Sequence, residues 1–138
     1  MNQYRITRAA ELDSLSAFRD FIDEVCREND IDEDAAYDLK LAVDEACTNV
    51  VQHGYAGMNP GSIMLDLTVK DGEVEVRLTD FGHPFEPSSA PMPDITVPLE
   101  ERPLGGFGLF LIYQTMDEVD YVTGEAGNTL ILRKRIEE

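Results

Sequence analysis

The chain reads as a two-layer α+β sandwich, a mixed but mostly antiparallel sheet with its helices on one face, and three observations predict it. Strand-like runs come as antiparallel hairpin pairs, two long segments carry helical spacing, and the order β-α-α-β-β-loop-α-β-β interposes helices between the pairs. At 138 residues a single domain over 1–138 is expected, large enough to bury a core without staples.

Each element has its own signal. Tyr4 to Thr7 alternate enough for a short first strand. Leu12, Leu15, Phe18, Ile22, Val25 and Cys26 recur at helical spacing and predict an amphipathic helix from Leu12 to Cys26. Asp30 or Asp32 can cap the next helix, with Glu33 and Asp34 in the first turn, where the macrodipole favours acids. This second helix should run to about His53, with Gly54 as its stop and Leu39, Val43, Ala46 and Val50 as its buried stripe. Ile63, Leu65, Leu67 and Val69 alternate along a strand, Asp71-Gly72 turns the chain, and Val74, Val76 and Leu78 line the return strand. Asp80 shares the parity of those three, so its carboxylate points to the core face and needs a partner there.

Residues 86–103 change character, holding five of the seven prolines. A loop this long inside a compact domain is usually a lid or a binding loop, and an irregular surface connection is the plainer alternative. Gly105-Gly106-Phe107-Gly108 follows, then a helix through Leu109, Ile112, Tyr113 and Met116. Two strands, Val119 to Thr123 and Thr129 to Ile136, close the chain around a Gly124-to-Asn128 turn.

Composition narrows the functions. The net charge is −17, from 28 acidic and 11 basic residues. Such a field repels phosphate backbones and anionic lipids, which disfavours direct nucleic-acid or membrane binding. A bound polyphosphate would need local help from a divalent cation, backbone N–H groups or one of the few arginines. No apolar run reaches membrane-spanning length, and Met1-Asn2-Gln3-Tyr4-Arg5 lacks a signal-peptide layout, so a cytoplasmic protein is expected. Cys26 and Cys47 form no CxxC pair and fall in helical patterns, as buried free thiols would.

Four features carry candidate chemistry. Glu45, Asn49 and His53 stand four residues apart, and at about 100° per residue they line one stripe beside the core. The Asn49 carboxamide can ligate magnesium, which takes few protein oxygens alongside phosphate and water. The Glu45 carboxylate can take a proton from an attacking hydroxyl, while His53 fits a structural role at the helix end. Asp80-Phe81-Gly82 joins a strand-end carboxylate to a glycine that allows close backbone approach. It fits an adenine amino group, and equally a plain Asx-turn. Gly105, Gly106 and Gly108 at a helix start offer a phosphate cradle or a simple hinge, and no Walker lysine follows them. Arg102 just before them could pair with phosphate.

Taken together, Glu45-x-x-x-Asn49-x-x-x-His53-Gly54-Tyr55, Asp80-Phe81-Gly82-His83-Pro84-Phe85 and Gly105-Gly106-Phe107-Gly108-Leu109-Phe110-Leu111-Ile112 resemble the three nucleotide-binding boxes of the gyrase/histidine-kinase/MutL (GHKL, Bergerat-fold) ATPase superfamily. The tail Met116-Asp117-Glu118-Val119-Asp120-Tyr121 with Gly127-Asn128-Thr129-Leu130 is similar to its anti-sigma-factor serine/threonine-protein kinase branch. The likeness spans about residues 4 to 136.

The resemblance implies ATP and Mg²⁺ as cofactors, with an ATP lid at about 86–108. It implies that Asn49 holds the metal and that Asp80 reads the adenine amino group with help from Thr129 through water. Gly82 would sit beneath the base, and Gly105, Gly106 and Gly108 would follow the phosphates. Glu45 would be the base for the substrate hydroxyl, and Arg102 would serve the γ-phosphate and the protein partner. The implied partners are a small STAS-type antagonist, which is phosphorylated, and a sigma factor, which is sequestered. Members of the branch often form homodimers. A nucleotide-binding regulator without kinase activity, or a switch kinase acting on a scaffold protein, are the alternatives. His83-Pro84-Phe85 stands where a second glycine is commoner, as in regulator-type members, and the chain has no room for a phosphoacceptor-histidine hairpin.

Overall fold

The computed structural model describes residues 1–55, 57, 59, 61–83 and 112–136. The predicted lid at 86–108, with Arg102, Gly105, Gly106 and Gly108, lies outside the described residues.

Among the described residues, five strands form one sheet: β1 (Asn2–Ala9), β2 (Ser62–Lys70), β3 (Glu73–Asp80), β4 (Glu118–Gly124) and β5 (Gly127–Arg135). Their spatial order is β1-β2-β3-β5-β4, and every pairing is antiparallel, so the sheet is more uniform than the mixed one expected. The first strand outruns its alternation signal because its whole length pairs with β2, from Asn2 opposite Val69 to Ala9 opposite Ser62. Two helices, α1 (Leu15–Glu28) and α2 (Glu33–Asn49), pack on one face. The helical spacing that begins at Leu12 starts as a 3₁₀ turn, Leu12–Ser14, and Leu12 itself stays exposed. Residues 112–115 are also helical.

Alternation decides which strand residues enter the core. Ile63, Leu65 and Leu67 from β2, Val74, Val76 and Leu78 from β3, and Leu130 and Leu132 from β5 are buried. They meet Phe18, Ile22 and Val25 of α1 and Leu39, Val43 and Ala46 of α2. Each large side chain in that set contributes about 1.5–3 kcal/mol by leaving water. Ala42 and Cys47 widen the α2 stripe, whereas Val50 is only half-buried. Cys26 and Cys47 are buried free thiols, and burial pushes Cys26 up to about 11. The opposite face of the sheet is mostly polar, with Ile131 buried among its charged side chains. There Arg133 meets Glu75 at 3.0 Å, Glu118 at 2.9 Å and Asp120 at 3.2 Å.

Asp30 adopts a left-handed φ of 54° between the helices, so the cap falls to Asp32, whose Oδ1 accepts from the Ala35 N–H at 2.7 Å. The β2–β3 hairpin turns on Asp71 (φ 51°) and Gly72 (φ 74°), the pair of positive angles that a type I′ turn requires. The β4–β5 turn is tighter than the expected Gly124-to-Asn128 loop. Gly124 pairs with Gly127, leaving only two residues to turn and drawing Asn128 into the strand.

Candidate functional site: a cleft between the end of α2 and the ends of β3 and β5

The cleft is built where α2 ends against the strand ends. Capped at Asp32, α2 carries Ala46 into the core and leaves Glu45 and Asn49 half-buried at its edge, as their angular offset from the stripe demands. His53 does not continue that stripe. Past Asn49 the chain widens into a π turn, Val50–Gly54, in which the Tyr55 N–H reaches back five residues to the Val50 carbonyl at 3.3 Å. The changed pitch turns His53 out to solvent and brings Gly54 and Tyr55 inward.

Gly54 and Tyr55 lock this helix end to β3. The Tyr55 hydroxyl donates to the Ser62 carbonyl and accepts from the Phe81 N–H, each at 2.9 Å. The His83 N–H donates to the Gly54 carbonyl. A Cβ on Gly82 would stand 2.1 Å from that same carbonyl oxygen, so the glycine is required by a backbone crossing. The middle motif thus holds the second element of the cleft against the first.

Asp80 ends β3 on the core face and is 5% exposed. Its Oδ1 accepts from the Gly82 N–H at 2.9 Å and from Asn128 Nδ2 at 3.1 Å. The Asx-turn and the buried carboxylate are therefore one feature. Asp80 and Asn49 line a single cleft with Ala46, Val50, Gly54 and His83. Leu78, Leu130, Ile112 and Tyr121 supply the apolar part of its lining.

Glu45 is not among the residues that line the cleft and stands one helical turn before Asn49 on α2, half-buried. Partial burial, and secondarily the charge of neighbouring Asp44, pushes its carboxyl above the ordinary carboxylate value. A carboxylate so shifted is a stronger proton acceptor than a solvated one. Among the described residues no group of three or more His, Cys, Asp or Glu side chains could hold a metal. The oxygen that fits magnesium at this edge is the Asn49 carboxamide, a hard donor suited to an ion that brings phosphate and water ligands with it.

Thr129 is not brought to the cleft, which corrects the expectation that it assists Asp80. The β3–β5 register sets Asp80 opposite Asn128 and Thr79 opposite Thr129. Thr129 therefore projects from the other face of the sheet, where its hydroxyl lies 3.0 Å from that of Thr79. The residue beside Asp80 is Asn128, 3% exposed. Its signal was present in the chain, because Asn128 shares the parity of Leu130 and Leu132, and the rule that turns Asp80 inward turns Asn128 inward too.

Comparison with known proteins identifies the family and the fold. The family described as histidine kinase-like ATPase domain matches residues 8–134. Serine-protein kinase RsbW of Listeria monocytogenes is 35% identical over 109 residues, which cover 76% of this chain and 69% of the relative. The RsbW of Bacillus cereus is 36% identical over 104 residues, covering 72% and 64%. The chain thus spans about two thirds of the length of these curated relatives. Among solved structures, the RsbU and RsbW domains of a Mycobacterium tuberculosis protein superpose with a TM-score of 0.73 at 22% identity, over 100% of this chain and 33% of that one. A blue-light activated histidine kinase from Erythrobacter litoralis gives 0.55 at 22% identity, over 78% of this chain and 32% of that one. The structural likenesses show a shared fold. No described helix is long and apolar enough to cross a membrane.

Proposed function

Because the chain belongs to the histidine kinase-like ATPase family, in its serine-protein-kinase branch, we propose that it is an Mg·ATP-dependent protein serine/threonine kinase and anti-sigma regulatory factor of the cytoplasm. Its substrate would be a serine or threonine of a small STAS-type antagonist, and its regulatory target a sigma factor that it sequesters when the antagonist is absent. The observation that carries the reading is the meeting of Asn49 and Asp80 in one cleft, with Glu45 one turn before Asn49 on the same helix.

Each residue then has a defined task. The Asp80 carboxylate accepts from the exocyclic amino group of adenine, whose ring lies against the apolar lining supplied by Leu78 and Leu130. Asn49 holds Mg²⁺, which when bound neutralises charge on the phosphates. Glu45 accepts the proton of the substrate hydroxyl as its oxygen bonds to the γ-phosphorus, and the bond from that phosphorus to the bridging oxygen breaks to release ADP. Gly105, Gly106 and Gly108 along the phosphates, and Arg102 at the γ-phosphate, complete the proposal from outside the described residues. Phosphoryl transfer asks mainly for positioning and charge stabilisation, and this sparse set is sufficient for that.

The test is transfer of labelled phosphate from ATP to a cognate antagonist. Glu45→Gln is expected to lower the rate by about a hundredfold or more while ATP still binds. Unchanged transfer would remove Glu45 from the mechanism, and no transfer by the unmodified protein would leave a nucleotide-binding regulator. Identifying the protein captured with the chain separates a sigma-binding kinase from one acting on a scaffold. The pH profile adds a second readout. Glu45 is protonated below its raised value and cannot accept a proton, so the rate should fall on acidification at a higher pH than for an ordinary glutamate. Above that pH the half-buried charge costs stability, so Glu45→Gln should raise the melting temperature slightly at neutral pH.

A further inference from the structure

The carboxylate proposed to read the base is itself held by a second buried polar group. Asn128 Nδ2 donates to Asp80 Oδ1 at 3.1 Å and to the Gly82 carbonyl at 2.9 Å, and the Thr123 hydroxyl lies 2.5 Å from the Asn128 Oδ1. A carbonyl oxygen can only accept and Oδ1 already takes the Gly82 N–H, so the amide nitrogen must face this pair and the Thr123 hydroxyl must donate. The orientation of the carboxamide is therefore fixed from three sides. With two donors on Oδ1, the oxygen of Asp80 left to meet a ligand in the cleft is Oδ2.

We propose that Asn128 is a positioning residue for base selection: it turns Asp80 so that an acceptor-only oxygen faces the cleft, which admits a purine bearing a 6-amino group and rejects one bearing a 6-oxo group. The inference rests on the nucleotide reading given above. A 6-amino group donates to that oxygen. A 6-oxo group sets lone pairs against lone pairs and leaves both acceptors unsatisfied in a partly dry site, the arrangement by which polar sites reject near-isosteric ligands. Asn128→Asp keeps the size and shape of the side chain but replaces its donor with a second carboxyl. Two carboxyl groups about 3 Å apart cannot both ionise and come to share a proton. The donor that pinned Oδ1 is gone, so the Asp80 carboxyl can turn or hold the shared proton on its cleft-side oxygen, and the acceptor-only restriction on the ligand is lost.

The experiment is titration of the intact protein, in magnesium, with ATP and with inosine triphosphate, its 6-oxo counterpart. The unmodified protein is expected to favour ATP by about tenfold or more. Asn128→Asp should narrow that ratio by about tenfold, and Thr123→Ala, which removes an exposed hydroxyl that anchors the amide, by about threefold. A purely structural role would weaken both nucleotides alike and leave the ratio intact, which would overturn the proposal. Should Asn128→Asp fail to fold, Thr123→Ala decides by the same criterion, a narrowed ratio supporting the role and an unchanged one overturning it. An unmodified protein that binds neither nucleotide defeats the nucleotide reading and this proposal with it, whereas one that binds both equally defeats the base selection alone. A preference for ATP retained in both variants defeats only the role of Asn128.

Discussion

Strand β3 has an aspartate and a glycine at each end, and the two pairs obey different physics. At the start, Asp71 and Gly72 are selected by backbone angles, since both take positive φ and Asp71 is exposed. At the finish, Gly82 has no left-handed angle and is required by a neighbour, because the space of its missing Cβ is filled by the Gly54 carbonyl. Asp80 is buried with one oxygen committed to Gly82 and Asn128 and the other left to the cleft. One pair turns the chain. The other joins the end of α2 to the sheet and keeps a carboxylate where burial would ordinarily exclude it.

The comparison breaks first at Gly82. Gly82→Ala puts a methyl group 2.1 Å from a backbone oxygen and 2.5 Å from its carbon, and neither can move without separating the π turn from β3. Overpacking against backbone should cost about 3 kcal/mol of stability. It should also abolish ATP binding, since Asn49 and Asp80 sit on the two sides of that crossing. A urea unfolding midpoint equal to the unmodified protein's would show that the crossing yields easily.

Asp80→Asn comes next, and its effect should fall on binding. The asparagine oxygen can keep both donors, but the amide nitrogen then faces the cleft and meets the adenine amino group donor to donor. ATP affinity should drop about 10- to 100-fold, with stability moving by less than about 1 kcal/mol. An unchanged dissociation constant would remove Asp80 from base recognition.

These two ends also mark how far the sequence can be read. Asp71-Gly72 is legible because a type I′ turn is a local demand, met by adjacent residues. The inward parity of Asp80 is legible for the same reason, since alternation runs within one strand. The need for glycine at position 82 comes from a residue 28 positions earlier, across a backbone approach that no local pattern encodes. Placing Thr129 beside Asp80 follows from the family resemblance, which does not carry the pairing register of β3 with β5. The β3–β5 pairing sets Asp80 opposite Asn128 and leaves Thr129 on the other face. His53 leaves the Glu45 and Asn49 stripe because a π turn interrupts the helical period, and a period of 3.6 cannot announce its own interruption.

At the other end of β3 the effects should be smaller and confined to folding. Gly72→Ala forces a Cβ onto a residue with φ of 74°, a conformation costing an L-residue about 1–2 kcal/mol. Thermal unfolding should register that loss while the ATP dissociation constant stays put. A change in ATP affinity at this site would mean that the hairpin turn and the cleft are coupled through β3.

Asp71→Asn should do least, and for that reason tests the comparison most cleanly. The residue is exposed, its φ of 51° is one that asparagine adopts at least as readily as aspartate, and Asn-Gly is a favoured type I′ pair. Removing one negative charge from a chain of net charge −17 relieves a little self-repulsion. The expected stability change is therefore within about 0.5 kcal/mol and on the favourable side. At about 3.3 Å per residue, positions 71 and 80 are separated by roughly 30 Å, beyond the range at which substitutions interact directly. The double variant Asp71→Asn/Asp80→Asn should then bind ATP as weakly as Asp80→Asn alone and unfold at the sum of the two shifts. An Asp-to-Asn change that is silent at one end of a strand and disabling at the other assigns the difference to what surrounds each carboxylate. A departure from additivity would instead make β3 a mechanical link between turn and cleft.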